Sequence, residues 1–142
     1  MAKLLRPDLN TKFHIDYDWW AEQPRDVRIL IWEHLCPECR TKFGRHIDTE
    51  DIDWVDPDTG EVTVVDGLIY SLRECCSRRG DYITRATPLT ASVFRLLIAN
   101  GNTPLSAVEL HERIGRSDPH GILRILLGKQ MRPHYGIKPI LA

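Results

Sequence analysis

The clearest helical pattern of apolar residues lies in the last third of the chain. Between Pro88 and Asn100 the apolar positions recur at intervals of three and four, which predicts an amphipathic helix. Thr87 is a suitable N-cap, Pro88 suits the first helical position, and Gly101 suits the position after the last turn. The pattern predicts that this helix packs its apolar stripe into a core.

Two further short helices follow. The second begins at the sequence Ser-Ala-Val-Glu of Ser106–Glu109, which is a capping box, and it ends at Gly115. The third is capped by Ser117 or Asp118, has a proline in its first turn, and ends at Gly128. A short helix, a turn with glycine and a second short helix form a helix-turn-helix.

The sequence LLIANGNTPLSAVELHERIGRSDPHGILRILLG within this region resembles the core of a winged helix-turn-helix domain. The resemblance covers about 54 residues, from Thr87 to Ile140. It implies that Asp118 to Leu127 is the recognition helix and that Gln130 to Ile140 forms a short wing or closing strand. The sequence departs from the family in lacking a clear second wing strand. This fold serves many partners, so it constrains function weakly.

The first hypothesis for function is a DNA-binding transcriptional regulator whose third helix enters the major groove of double-stranded DNA. Three residues at helical spacing would then face the duplex: Arg116, His120 and Arg124. Four more cations would contact phosphates: Arg113, Lys129, Arg132 and Lys138. The alternative explanation of these residues is an ordinary exposed, charged helix surface.

Two other functions remain open. The first is a protein-interaction module that docks on a larger assembly, in which the tail Ile137–Ala142 would add to a partner as an extended strand. The second is a metal or redox sensor, in which a cysteine site changes the placement of the helix-turn-helix.

The first half of the chain predicts a mixed structure. Alternation over Phe13–Tyr17 indicates a strand, and apolar periodicity over Pro24–Leu35 indicates a helix. Ile52–Val55 and Val62–Val65 flank a Pro/Gly turn and predict a hairpin, which we expect to join the first strand in a three-stranded sheet. Asp66 is suited to cap a helix that runs to about Cys76. This half resembles no characterised family.

The predicted fold class is therefore α+β. Residues 1–85 would form a small antiparallel sheet plus helices with a zinc site, and residues 86–142 a winged helix-turn-helix. The charge differs between these parts: residues 1–86 hold 12 Lys/Arg and 17 Asp/Glu, whereas residues 87–142 hold 7 and 3. A positive second half is consistent with an anionic partner.

All four cysteines lie in the first half, as Cys36 and Cys39 in a CPEC turn similar to a zinc knuckle and as the adjacent pair Cys75 and Cys76. In a reducing compartment such a set favours metal binding over a disulfide framework. A CxxC turn presents two thiolates to a tetrahedral Zn²⁺. We therefore predict a structural zinc site formed by these four cysteines.

Several alternatives to this ligand set remain. Adjacent helical residues point about 100° apart, so one of Cys75 and Cys76 would be replaced as a ligand by His34 or His46 if both cannot reach the ion. Other interpretations are reduced cysteines without a metal, a thiol–disulfide switch, and an iron–sulfur cluster.

Other functions lack the residues that they need. The chain contains no phosphate-binding glycine loop, nucleophile elbow or HExxH motif, so we do not expect an enzyme. The longest apolar runs are shorter than a membrane span, and the N-terminal residues do not form the apolar core of a signal peptide. We therefore expect no membrane contact and a cytoplasmic location.

Overall fold

The computed structural model describes residues 6–46, 49–128 and 135–141. Its helices are α1 Tyr17–Ala21, α2 Val27–Glu33, α3 Pro37–Lys42, α4 Gly67–Glu74, α5 Leu89–Ala99, α6 Ala107–Ile114 and α7 Pro119–Leu127. Its strands are β1 Lys12–Ile15, β2 Ile52–Val55, β3 Val62–Val65, β4 Leu105–Ser106 and β5 Ile137–Pro139. The described part is thus a mixed α+β structure with two small antiparallel sheets.

The chain divides into two compact units. Unit 1 comprises Met1–Glu22 and Ile83–Ala142, and unit 2 comprises Gln23–Tyr82. The division predicted from the sequence was 1–85 and 86–142. The boundary between the compact units near residue 83 is close to the predicted one, but residues 1–22 group with the C-terminal part of the chain. Those residues belong to unit 1 because their strand pairs with two strands from the C-terminal part.

Unit 1 is built around a three-stranded sheet with the order β4-β1-β5. Phe13 of the central strand lies opposite Leu105 on one side and Pro139 on the other. The expected sheet of this strand with the β2–β3 hairpin is therefore wrong. Alternation along the strand indicated a half-buried element correctly, but alternation does not specify which strand will be the neighbour.

The three C-terminal helices of unit 1 begin and end largely where the sequence predicts. The capping box of α6 is present, with Ser106 Oγ accepting from the Glu109 N–H and the Glu109 carboxylate accepting from the Ser106 N–H. Asp118 caps α7 and Gly115 adopts the left-handed conformation after α6. Helix α5 begins one residue later than predicted, because Thr87 Oγ1 instead accepts from the N–H of Thr84 at 3.0 Å.

The core of unit 1 lies between its sheet and its helices. Its fully buried large side chains come from every layer: Phe13, Ile15, Phe94, Leu97, Ile98, Leu110, Ile122 and Ile137. The order α5-β4-α6-α7-β5 provides a helix pair with a short turn, next to a small sheet. The first five residues of the predicted wing, 130–134, lie outside the described residues, and three of its later residues, Ile137–Pro139, form β5.

Unit 2 has a thinner core. Helices α2 and α4 pack together through Leu30, Ile31, Leu68 and Leu72, all of which are almost fully buried. The β2–β3 hairpin forms with the predicted bounds and pairs Val55 with Val62. Of the nine buried apolar side chains in the described part of this unit, three are cysteines, so the cysteine cluster is a large share of its interior.

None of the helices in the described residues combines the length and the apolar character that crossing a membrane requires.

Candidate metal centre

The first pair of cysteines is placed by the start of a helix. Cys36 is the N-cap residue of α3, Pro37 takes the first helical position, and Cys39 lies in the first turn. The Cys36 carbonyl accepts the first helical hydrogen bond, from Arg40 at 3.0 Å. This geometry turns both thiols toward the interior, where both side chains are buried. The CPEC turn predicted from the sequence is thus the beginning of a short helix.

The second pair of cysteines is placed by the end of another helix. Asp66 caps α4, accepting from the Leu68 N–H as predicted, and the helix ends at Glu74. Cys75 is the C-cap residue and Cys76 starts a 3₁₀ turn that runs to Arg78. Because the chain leaves the α-helical conformation between the two cysteines, the 100° separation of adjacent helical residues does not apply. Both thiols can therefore face the same point.

The four cysteines form one cluster. The Sγ atoms of Cys36, Cys39, Cys75 and Cys76 all lie within 4.8 Å of one another, and all four thiols are free rather than disulfide-bonded. The backbone N–H of Cys36 also points at the Cys76 sulfur, at 3.2 Å. Backbone N–H donation to sulfur stabilises a thiolate. The cluster has the composition and spacing to hold a metal ion.

The neighbouring thiols perturb one another. Burial raises the pKa of Cys39 well above its ordinary value, and its hydrogen bonds with the other thiols raise it further. Burial also raises the pKa of Cys76 to about 11. For Cys36, burial opposes ionisation, but the Cys39 backbone and the surrounding thiols outweigh it and lower the pKa. The pKa of Cys36 is thus shifted in the direction opposite to those of Cys39 and Cys76, and a cation bound among the sulfurs would favour the thiolate form of each.

A positive side chain lies near the cluster. Arg79 donates to the Asp81 carboxylate at 3.2 Å, and this ion pair together with the field of Cys36 raises the pKa of the guanidinium. A cation at this position offsets part of the negative charge of a thiolate cluster. The predicted substitute ligands are not in the cluster: the group within the described residues consists of four cysteines, without His34 or His46.

The predicted DNA-binding residues differ in whether they have partners within the chain. Arg116 lies in the turn between α6 and α7, where its guanidinium donates to the carbonyls of Arg85 and Thr87 and to the hydroxyl of Ser92. Arg116 is therefore engaged in holding the chain that precedes α5, and its contact with a duplex stays a prediction. The sequence offered no sign of this role, because its partners are backbone carbonyls in a connector.

The other predicted contacts remain exposed or lie outside the described part. Arg113 on α6 and both His120 and Arg124 on α7 are exposed, and no ion pair within the described residues involves either arginine. Lys129 and Arg132 lie outside the described residues. Lys138 on β5 places its Nζ 5.0 Å from the centroid of the Trp19 ring.

Comparison with known proteins adds no relative: no protein-family model, no curated protein and no solved structure matches this chain.

Proposed function

We propose that unit 2 binds one zinc ion through four cysteines and that this ion has a structural role. The observation that carries the proposal is the convergence of all four sulfurs within 4.8 Å. Zinc with bonds of about 2.3 Å to four sulfurs places them about 3.8 Å apart in a tetrahedron. The four positions therefore need only a small contraction around an ion.

The same geometry favours one ion over an iron–sulfur cluster. In a cluster the terminal thiolates bind different iron atoms, so they lie farther apart than thiolates that share one ion. Four protein ligands also fill the coordination sphere of zinc, and a catalytic zinc needs an open position for water. A closed site in a unit with a thin core is typical of metal that supplies folding free energy.

The test is metal analysis of the full chain purified without chelator. We expect about one zinc per chain, and we expect cobalt substitution to give the absorption of a tetrahedral thiolate site. Single substitution of each cysteine by serine should reduce zinc retention in all four variants. A matched control is Ser77→Ala, which changes a neighbouring residue without a thiol. A chain that carries iron and sulfide, or no metal, excludes a zinc site.

For unit 1 we propose a winged helix-turn-helix that binds duplex DNA through α7. What supports this is the presence of exposed cations on a two-helix motif: Arg113 and Arg124 have no ion pair in the described part of the chain. Unit 1 as defined by its contacts also carries 11 Lys/Arg against 7 Asp/Glu, whereas unit 2 carries 8 against 13. A positive surface supplies the sequence-independent part of DNA affinity.

Binding to mixed-sequence duplex DNA near 50 mM salt tests this proposal. Replacing Arg113 and Arg124 together by Gln should weaken binding. It should also make the slope of log affinity against log salt shallower, by the amount that about two phosphate contacts contribute. The matched control is the pair Arg6→Gln and Arg85→Gln, which removes the same charge from exposed positions of unit 1 outside the helix pair. Equal losses in the two double variants would mean that only net charge matters.

A second candidate for unit 1, docking on another protein, is favoured by a different observation. Helix α7 exposes Ile125 and Leu127, with relative exposures of 40% and 42%, beside Arg124. A helix that reads base edges does not need two exposed aliphatic residues, whereas a docking helix does. Loss of self-association or of partner binding in Ile125→Ser, with duplex affinity unchanged, would select this function.

A further inference from the structure

A shallow, open cleft lies beside the cysteine cluster in unit 2, and none of the residues that line it is a cysteine of the cluster. Its volume is about 300 Å³, and it is lined by Trp32 of α2 together with Pro37, Arg40 and Thr41 of α3. The guanidinium of Arg40 lies 5.0 Å from the centroid of the Trp32 ring. The indole N–H of Trp32 donates to the Phe43 carbonyl at 2.6 Å, which fixes the orientation of the ring. The cleft thus combines a fixed aromatic wall with a cation.

A second cation and a second ring lie immediately beyond this cleft. Lys42 Nζ is 5.2 Å from the centroid of the Phe43 ring. Both Arg40 and Lys42 are exposed, and neither forms an ion pair within the described residues. The stretch 40–45, Arg-Thr-Lys-Phe-Gly-Arg, contains three cations and no carboxylate. Aromatic rings interleaved with cations are typical of surfaces that bind unpaired bases and their phosphates.

We propose that this face of unit 2, defined by Trp32, Arg40, Lys42 and Phe43, binds single-stranded nucleic acid. One base enters the cleft and stacks against the Trp32–Arg40 pair, since both indole rings and guanidinium planes stack on bases. The flanking phosphates contact Arg40 and Lys42. The Thr41 hydroxyl, which donates to the Pro37 carbonyl at 2.9 Å, retains acceptor capacity for an N–H group of the base.

The net negative charge of unit 2 does not contradict this assignment, because its carboxylates are unevenly distributed. Seven of the thirteen lie between residues 48 and 61. Near the cleft, Glu33 is paired with Arg25 at 3.2 Å, and Glu38 faces Arg79 at 4.0 Å. The two carboxylates nearest in sequence to the cleft are thus each matched by an arginine, whereas Arg40 and Lys42 form no ion pair within the described residues.

This site goes beyond the proposed function, since it lies in unit 2 and uses neither the metal nor helix α7. The two proposals fail separately. Duplex binding tests Arg113 and Arg124, whereas single-strand binding tests Arg40 and Lys42. The proposed ligand is a single strand that is recognised by a stacked base and the phosphates next to it. DNA and RNA both offer these groups.

The experiment is fluorescence anisotropy with the full chain as purified. The probes are labelled oligothymidylate and oligouridylate of about 12 nucleotides, near 50 mM salt, where electrostatic contacts are strong. Arg40→Gln should weaken binding roughly tenfold, because it removes both a phosphate contact and a stacking plane. Lys42→Gln should make the slope of log affinity against log salt shallower by about 0.7. Arg78→Gln is the matched control, because Arg78 is exposed in the same unit but paired with Glu74 at 2.9 Å.

A second readout uses tryptophan fluorescence. Stacking of a base on Trp32 should quench part of the emission, and the quench should disappear in Trp32→Phe, which keeps an aromatic core. Preference for oligouridylate over oligothymidylate would identify RNA as the source of the strand, and the reverse would identify DNA. The proposal is overturned if neither strand binds, if Arg40→Gln and Arg78→Gln lose equal affinity, or if a single nucleotide binds as tightly as the strand.

Discussion

The side-chain amide of Asn102 makes the two hydrogen bonds to Ile15 that a neighbouring strand residue would make. Its Oδ1 accepts from the Ile15 N–H at 2.8 Å and its Nδ2 donates to the Ile15 carbonyl at 2.9 Å. Strand β4 is too short to reach Ile15, since its last partner on β1 is Phe13. Asn102 thus extends the sheet by one position with a side chain.

The backbone of Asn102 has a separate task at the end of α5. Its N–H donates to the Leu97 carbonyl at 2.6 Å, which closes the helix in the six-to-one pattern that follows a glycine, here Gly101. Gly101 takes the left-handed conformation that this pattern requires, with φ of 75°, and Asn102 itself is also left-handed, with φ of 60°. Asparagine tolerates that conformation better than other residues with a side chain. One residue therefore ends a helix and completes a sheet.

We expect Asn102→Gly and Asn102→Ala to separate these two tasks. The glycine variant keeps the backbone conformation and loses two half-buried hydrogen bonds, which should lower the free energy of unfolding by about 1–3 kcal/mol. The alanine variant should lose about 1 kcal/mol more, because a side chain without polar groups is strained at positive φ. Denaturant unfolding measures both values, and faster amide exchange at Ile15 should accompany them. A glycine variant as stable as the parent chain would contradict this role.

Gly136 illustrates a position where any side chain meets an immobile neighbour. A methyl group there would lie 2.8 Å from Cδ1 of Trp20 and still closer to its Nε1, and φ is +72°. The Trp20 ring cannot withdraw readily, because it is 5% exposed and its N–H donates to the Tyr135 carbonyl at 3.0 Å.

We therefore expect Gly136→Ala to lower the free energy of unfolding by about 3 kcal/mol or more, through strain at positive φ and the collision with Trp20. Gly115→Ala is the matched control in the same unit, since Gly115 has φ of +77° but nothing within 4 Å of the added carbon. It should cost only about 1–2 kcal/mol. Thermal or denaturant unfolding compares the two alanine variants. Equal losses of stability would show that the Trp20 ring moves aside to admit the added methyl group.

The ion pair of Lys12 with Glu109 predicts a specific acid dependence. The Lys12 ammonium and the Ser106 backbone lower the pKa of the Glu109 carboxyl to about 2. A carboxyl whose pKa is lower in the folded chain stabilises the fold above its unfolded pKa, and this stabilisation is lost as the pH falls through the folded pKa. Because the two side chains are 49% and 36% exposed, the contribution should stay below about 1 kcal/mol.

The variant that isolates this charge is Glu109→Gln, since glutamine keeps the capping hydrogen bond to the Ser106 N–H. Relative to the parent chain it should be less stable near pH 6, and the difference should shrink between about pH 5 and pH 2. Lys12→Gln should give the same pH profile. Unfolding free energies measured across that range check this. A difference that is constant with pH would assign the effect to the cap alone.

Features encoded by neighbouring residues were predictable. The capping box at Ser106, the caps at Asp66 and Asp118, and the hairpin from Ile52 to Val65 each follow from residues within a few positions of one another. The first pair of cysteines was also recognisable, because two thiols separated by two residues share one turn. The four cysteines of the candidate metal centre and most element boundaries could therefore be predicted from the sequence.

Features that depend on distant residues were not predictable. The contact of Ile15 with Asn102 spans 87 positions, so alternation around Phe13 could identify a strand but not its neighbours. The hydrogen bonds of Arg116 to a connector were not predictable, because the carbonyls of Arg85 and Thr87 that accept them carry no sequence signature. The convergence of Cys75 with Cys76 required a helix end that falls between them.

Removal of the proposed zinc ion should affect the two units differently, and the tryptophans report on each. Trp19 and Trp20 belong to unit 1, whose core contains no cysteine, whereas Trp32 and Trp54 belong to unit 2, where three of nine buried apolar residues are cysteines. After chelation, or in Cys39→Ser, we expect the indole N–H signals of Trp32 and Trp54 to collapse toward unfolded positions, because zinc binding supplies folding free energy. The Trp19 and Trp20 signals should persist, and readdition of zinc should restore all four in the parent chain. Proton–nitrogen correlation spectra measure this directly. If all four signals remain after the metal is removed, the metal does not hold unit 2 together.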